Sequence, residues 1–432
     1  MTLSSRPAVR PRSVVVVGAG IVGLCCARFL QRDGHRVVLI DPREPGTGAS
    51  FGNAGIIATC QVWPIAMPGI LSRIPLMLLD PDGPVVLRWR YLPRLAPWLL
   101  KLVMAARPQR VERTVAALAA LLAHAVPAYD ALLRPTPCDA SRGDPITAGA
   151  ADLVRRPGWL KVYATARGFA ETAAERRLLS RHGVRFEVLT ADEIRQLEPA
   201  LAPLFSRGLF FPDCGLVLNP KRLVDALLSA FLADGGRLVR ERAVDFALAA
   251  ERNAVLTERA RHEAEVIVLA AGAWSRPLAA RLGARVPLDT ERGYHLMFDT
   301  PAATVGRPTQ WGEYYFNLVP MEHGLRMTSG VEFAGLAMPP DYRRIERLAR
   351  LARIMLPSLP SAPRSRWLGF RPSLPDSLPV LGRSARHEGV YFAFGHQHLG
   401  LTLGAVSGRI TADLVAGRNP GLDLSPHRAE RW

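Results

Sequence analysis

Residues 13–23 read SVVVVGAGIVG, and this short stretch decides how the chain begins to fold. Ser13 to Val17 is an apolar, β-branched run, the composition of a strand buried on both faces of a parallel sheet. Helical spacing then runs from Ile21 to Asp33, and Gly34 stops it. Arg36 to Ile40 is a second buried strand, so residues 13–40 form a βαβ half-unit. The glycines of the turn have separate tasks. Gly18 permits the tight turn, Gly20 lets backbone approach a pyrophosphate, and Gly23 lets the helix lie close on the strand. Ile21 and Val22 open the helix whose amides and dipole would face phosphate. Asp41 closes the second strand, where a carboxylate accepts hydrogen bonds from ribose hydroxyls. This is a dinucleotide site, and on its own it does not distinguish FAD from NAD.

More small-residue turns follow. One is Ala49-Ser50-Phe51-Gly52-Asn53-Ala54-Gly55, and another is Ala271-Gly272-Ala273-Trp274 after the apolar run 265–270. A third is Gly395-His396-Gln397-His398-Leu399-Gly400-Leu401-Thr402, which opens a helix running to Ala416. So many close backbone approaches, spread over the chain, suit an extended FAD buried along most of its length. Val244 is grouped with these cofactor-contacting positions. Tyr294 to Phe298, Tyr314 to Val319 and Leu325 to Val331 read as antiparallel strands with one ligand-facing side. Thr190-Ala-Asp-Glu193 is a capping box, Pro220 to Ala233 a helix, and Arg110 to Leu133 one long helix.

In this order GAGIVG, ASFGNAG, LAAGAWS, ERGYHLMF, GFRPSLPDSLPVLG and GHQHLGLT resemble the D-amino-acid dehydrogenase branch of the FAD-dependent amine and amino-acid oxidoreductases, relatives of D-amino-acid oxidase and glycine oxidase. The resemblance covers residues 13 to about 416. It implies an α/β fold: a Rossmann-like FAD-binding domain from 1–60, 219–284 and 365–432, and a substrate domain with a mainly antiparallel sheet and helices from 61–218 and 285–364. It implies that Arg371 pairs with a substrate carboxylate, for which a guanidinium fork is well shaped. His396, Gln397 and Gly400 would face the flavin ring from a helix start, where amides stabilise negative charge. Tyr294, His295 and Tyr315 are the substrate-side candidates. Alternation along a strand puts Tyr294 and His295 on opposite faces, so at most one of them points at the substrate. The position of the family's carboxylate-binding tyrosine matches Asn317 or Glu313 equally well. The implied reaction is oxidative deamination of small D-amino acids, cyclic ones such as hydroxy-D-proline included, with electrons passed to a quinone-type or respiratory acceptor. An oxygen-using glycine/sarcosine-type oxidase, and an FAD-carrying subunit of a larger complex, are the competing expectations.

The formal charge is +17, carried almost wholly by arginine; Lys101, Lys161 and Lys221 are the only lysines. Such a field attracts anions, carboxylate substrates among them. The arginines are scattered and accompany no nucleic-acid motif, so nucleic acid is not an expected partner. Five cysteines without a CxxC indicate neither a disulfide framework nor a metal site, and fit a cytoplasmic protein with reduced thiols. Residues 63–106 mix Leu, Trp89, Trp98, Arg88, Arg90, Arg94 and Lys101. Two readings stand: a peripheral anchor on the inner face of the cytoplasmic membrane, or buried helices of the substrate domain. No run of eighteen apolar residues occurs, so no spanning helix is expected.

Overall fold

The computed structural model describes residues 10–67, 83, 85–134, 150, 152–249 and 252–432. Ser13–Val17 lies inside a six-stranded sheet, in the order Arg237–Val239, Arg36–Ile40, Ser13–Val17, Val266–Leu269, Val390–Phe394, Val380–Arg383. The first five strands are parallel, and the last returns antiparallel. Its pleat explains the all-apolar run. Val14 and Val16 pack with helices Ile21–Arg32, Pro220–Ala233 and Gly400–Val415. Val15 and Val17 pack on the opposite side with Ala279 and with Val255 of a small antiparallel sheet, Ala243–Ala247, Asn253–Thr257 and Arg261–Ala264. A strand with a core on each face has no polar face to show.

The second large sheet is mainly antiparallel. Its order is Ser365–Ser373, Asp289–Phe298, Gly324–Phe333, Phe316–Met321, Thr309–Trp311, Trp159–Tyr163, Arg207–Phe211, Glu187–Thr190, with Val85–Leu87 beside Gly324–Phe333. Helix Arg343–Met355 covers it through Ile345, Leu348 and Ala352. The mixed α/β class read from the sequence is the class observed. The strand Ser365–Ser373 belongs to this second sheet, so the expected boundary at residue 365 falls eight residues before the end of a substrate-side strand.

Local signals resolve as their chemistry requires. Thr190 and Glu193 cap Ala191–Leu197 reciprocally, with Thr190 N–H donating to the Glu193 carboxylate at 2.7 Å. Asn219 caps Pro220–Ala233. The helix expected over 110–133 is two, Pro108–Ala123 and Ala125–Leu133, parted at His124. Contrary to expectation, Pro108–Leu133 is long and apolar enough, by length and composition, to cross a membrane. Half of it is buried in this fold; Val115, Leu118 and Tyr129 enter the core, and Tyr129 donates to Leu401 O at 2.6 Å.

The 63–106 stretch divides. Residues 68–82 and 84, with Pro68 and Pro75, lie outside the described residues, as does Cys138. Helix Leu92–Ala105 buries Leu95, Trp98 and Leu102, and Trp98 packs against Phe333 with ring centroids 5.3 Å apart. Trp98 is therefore a core residue and not an outward anchor. Trp89, 68% exposed, Leu100 and Met104 face outward.

Candidate active site

A cavity of about 520 Å³ runs between the two large sheets, within the range of small-molecule and cofactor sites. Gly18, Gly20, Ile21, Val22, Asp41, Ser50, Asn53, Ala54, Ala271, Gly272 and Trp274 line one end. Tyr294, Tyr315, Arg371, His396, Gln397, His398, Gly400 and Leu401 line the other. Most of the positions read from the sequence thus converge on one space.

The nucleotide end is built by the first turn. Gly18 has φ +109°, and a Cβ there would stand 2.4 Å from Ala270 O, so strand and turn close only around glycine. Ala19 N–H donates to one Asp41 oxygen at 2.9 Å and Arg43 N–H to the other at 2.9 Å. These bonds aim the carboxylate into the cavity. Ser50 Oγ accepts from Ile21 N–H at 3.0 Å, and no acid sits in the first turn of helix Ile21–Arg32. A helix start without its own acid, an aimed carboxylate beside it, and glycines that keep the floor clear fit the pyrophosphate and ribose of a dinucleotide. Arg43 lies 3.9 Å above the Trp274 ring at the same end.

Several expected contacts lie elsewhere. Gly23 lies outside the lining; a Cβ there would meet Gly18 O at 1.9 Å, so it serves helix–strand packing, the task its spacing suggested. Gly55, Gly395 and Thr402 also lie outside it. Thr402 Oγ1 accepts from Ala58 N–H at 3.0 Å and so ties the helix start to the strand after the Ser50 loop. Val244 is an exposed residue of the small antiparallel sheet, away from the cavity; it is the unpaired residue where the pairing of Ala243–Ala247 with Asn253–Thr257 shifts register.

Arg371 crosses the sheet. From Ser365–Ser373 it reaches over Gly293 of the neighbouring strand and donates through Nη1 to Gly330 O at 2.9 Å. A Cβ at Gly293 would stand 2.3 Å from the guanidinium, so this glycine makes the passage. The pairing shifts register between Arg292 and Tyr294, which bulges the Gly324–Phe333 strand at Gly330. Burial pushes the Arg371 proton affinity down, and Glu291 partly offsets this. An arginine stays charged under such a shift.

Of the two neighbours on Asp289–Phe298, Tyr294 borders the cavity, but its ring packs on the opposite face of the sheet from Glu291, in the core beneath helix Arg343–Met355 and 5.3 Å from the Tyr342 ring; its hydroxyl donates to Glu332, which also pairs with Arg88 at 2.6 Å and Arg292 at 3.2 Å. His295 does not face substrate. Its ring stacks on Trp367 at 5.1 Å and its Nδ1 donates to Gly52 O at 2.9 Å, fixing the Ser50 loop from behind. Burial first, and Arg326 second, lower its pKa to about 3, so it is neutral. Arg326 holds the same loop by donating to Asn53 O at 2.6 Å, a tie the sequence did not reveal.

Tyr315, 51% exposed, lines the cavity from a left-handed backbone, φ 53°, a conformation a bulky aromatic rarely adopts. Of its two neighbours, Asn317 lines the cavity and accepts from Trp159 Nε1 at 3.2 Å. Glu313 does not; one of its oxygens accepts from the backbone of Ala164 and Thr165. Gln397, φ 50°, is held by Ser373 and Ser377 at 3.2 and 3.1 Å. His396 is buried against Ser407 at 2.9 Å, its pKa lowered to about 3 by desolvation and then by His427. His398 opens onto the cavity, and burial, then Arg371, lower its pKa to about 4.

A phosphate turn, an aimed acid and a half-buried guanidinium around one cavity define a flavin-nucleotide oxidoreductase. The chain belongs to the FAD dependent oxidoreductase family, whose sequence model matches residues 13–414, and its cofactor is FAD. It is 38% identical to a Bradyrhizobium diazoefficiens protein named D-amino-acid oxidase, over 98% of this chain and 99% of that one. It is 31% identical to D-amino acid dehydrogenase 2 of Ralstonia nicotianae, over 97% and 100%. The fold is that of glycine oxidase from Geobacillus kaustophilus, with TM-score 0.71, 21% identity, and coverage of 98% of this chain and 99% of that one. L-proline dehydrogenase from P. horikoshii has the same TM-score at 16% identity, covering 98% of each chain.

Proposed function

We propose that this enzyme oxidises the Cα–N bond of small D-amino acids, cyclic ones such as hydroxy-D-proline included, to an imine that water converts to the 2-oxo acid. The relatives' names support the D configuration. One observation carries the reading: Arg371, half-buried and cationic, stands on the wall of the space that the phosphate turn opens.

FAD supplies the two-electron acceptor when bound. Gly18, Gly20, Ile21, Val22, Asp41, Ser50 and the 396–401 turn would hold it. The chain's own work is orientation. Arg371 binds the carboxylate bidentately, which fixes the α-carbon, and positioning of this kind lowers the barrier without a proton carrier on the arginine. The 396–400 turn presents amides of a helix start, which favour negative charge nearby. Desolvated walls strengthen both interactions.

The electron acceptor we propose is a membrane quinone. Trp89, Leu100 and Met104 face outward beside Arg90 and Arg94, a surface suited to an anionic bilayer on the cytoplasmic side. Oxygen is the second reading, favoured by the oxidase name of the 38% identical relative. Anaerobic flavin bleaching with both enantiomers of amino acids and proline analogues tests the substrate. Peroxide yield in air, against reduction of a soluble quinone, separates the acceptors. Arg371→Leu keeps its yellow cofactor and loses bleaching; normal turnover by that variant refutes the assignment.

A further inference from the structure

Glu291 has no part in the chemistry above, yet it lines the same cavity. It is the register partner of Arg371 across the strands Asp289–Phe298 and Ser365–Ser373. Residues directly opposite each other in an antiparallel pair project to one face. Glu291 is 1% exposed. Ser373 Oγ donates to its Oε1. Among the described residues, no cation lies within ion-pair distance of it, and its second oxygen accepts no hydrogen bond. A buried carboxylate in that condition is costly unless a cation arrives or it takes a proton.

We propose that Glu291 and Arg371 form a two-ended clamp for an α-amino acid, in which Arg371 takes the carboxylate and Glu291 takes the ammonium and accepts its proton. The inference rests on the amino-acid reading above and adds the group that prepares the nitrogen. In the transfer an N–H bond breaks and an O–H bond forms on Glu291. The nitrogen keeps the electron pair that becomes the second bond of the C=N product. The charged and titratable groups facing Glu291 are Arg371 from the adjacent strand, which favours its ionised form, and Asp289 from its own strand, which opposes it. Burial opposes ionisation most, so the carboxyl is held above its ordinary range and is a stronger base than a surface glutamate. An amino acid at neutral pH carries its proton on nitrogen, and only the free amine can be oxidised.

The network Glu291–Ser373–Gln397–Ser377 offers a purely structural role: a strap for the left-handed Gln397. The test separates the two. Flavin-loaded wild type, Glu291→Gln, Glu291→Asp and Ser373→Ala are compared for kcat/KM of D-alanine against pH and for binding of propionate, which lacks the amine. Glu291→Gln should lose about 10²- to 10⁴-fold at pH 7, the range of a general base. It should recover about tenfold per pH unit toward alkaline pH as free amine accumulates, with propionate binding unchanged or tighter. Ser373→Ala cuts the strap but keeps the carboxylate, and should retain the neutral-pH rate. Glu291→Asp should retain the acid limb, and loss of that limb with intact propionate binding overturns the proposal even where Glu291→Gln fails to fold. Parallel pH profiles for Glu291→Gln and wild type overturn it too, as does an equal loss in Glu291→Gln and Ser373→Ala with no alkaline recovery. If wild type is bleached by no amino acid, the proposed function itself falls, and this clamp with it.

Discussion

Replacing Gly293 by alanine places one methyl group where the Arg371 guanidinium now passes. The added carbon would stand 2.3 Å from one terminal nitrogen, 2.5 Å from Cζ and 2.9 Å from Nε. No backbone atom is among these contacts, and the obstructing group is the far end of a flexible side chain. The chain can therefore relieve the clash by moving the arginine rather than the sheet. Stability should fall by the one hydrogen bond to Gly330 O, at about 1.5–3 kcal/mol for a charged donor. Substrate binding should suffer by a similar amount. A hydrogen bond to a charged group is worth about 1.5–3 kcal/mol, so losing one arm of the fork costs about 10- to 150-fold in kcat/KM. The assay is steady-state oxidation of D-alanine, with propionate affinity read from the flavin spectrum and Tm recorded alongside. An unchanged KM and propionate affinity in a normally folded, yellow Gly293→Ala protein would show that Arg371 does not grip the carboxylate from across this glycine.

Two further outcomes follow from the buried histidines. His295→Phe keeps the stack on Trp367 but removes the bond to Gly52 O, so FAD should dissociate more readily at little cost to KM; a raised KM with unchanged FAD affinity refutes the loop-fixing role. His295, His396 and His427, with folded pKa values lowered to about 3, 3 and 4, are neutral in the fold and protonate on unfolding below their ordinary value near 6.5. Because their folded pKa values are depressed, stability is full above pH about 6.5 and falls as pH drops toward 3, each contributing up to about 1.4 kcal/mol per pH unit. A Tm at pH 5 equal to that at pH 7 would contradict this.

The sequence showed most plainly what local physics decides. Val14 to Val17 had to be buried twice over, since no polar residue interrupts the run. Thr190 and Glu193 name their own helix start, and Asn219 and Pro220 do the same. Period-two alternation separated Tyr294 from His295, and the structure turns neither ring toward substrate: Tyr294 packs in the core with Tyr342, and His295 is taken up by Trp367 and Gly52 O. What alternation could not say was what each of the two would meet, because that depends on the partner strands. The same limit hid Glu291. Its meaning comes from standing opposite Arg371, a pairing eighty residues apart in the chain. The bulge at Gly330 and the passage over Gly293 also arise only once three strands are aligned. The tyrosine region was misread by two residues: Gly312–Tyr314 is a tight helical turn, Tyr315 is left-handed, and the strand begins at Phe316. Val244 was misplaced because it stands unpaired at a register shift of an edge strand, turned to solvent.

The cavity wall draws on residues from Gly18 to Leu401 of a 432-residue chain. A ribosome therefore releases the first phosphate turn long before the last one exists. Assembly of the whole nucleotide site must wait until nearly the whole polypeptide has been made, and the newborn protein passes through a flavin-free stage in which only protein contacts, such as Gln397 to Ser373 and Arg326 to Asn53 O, join its two large sheets.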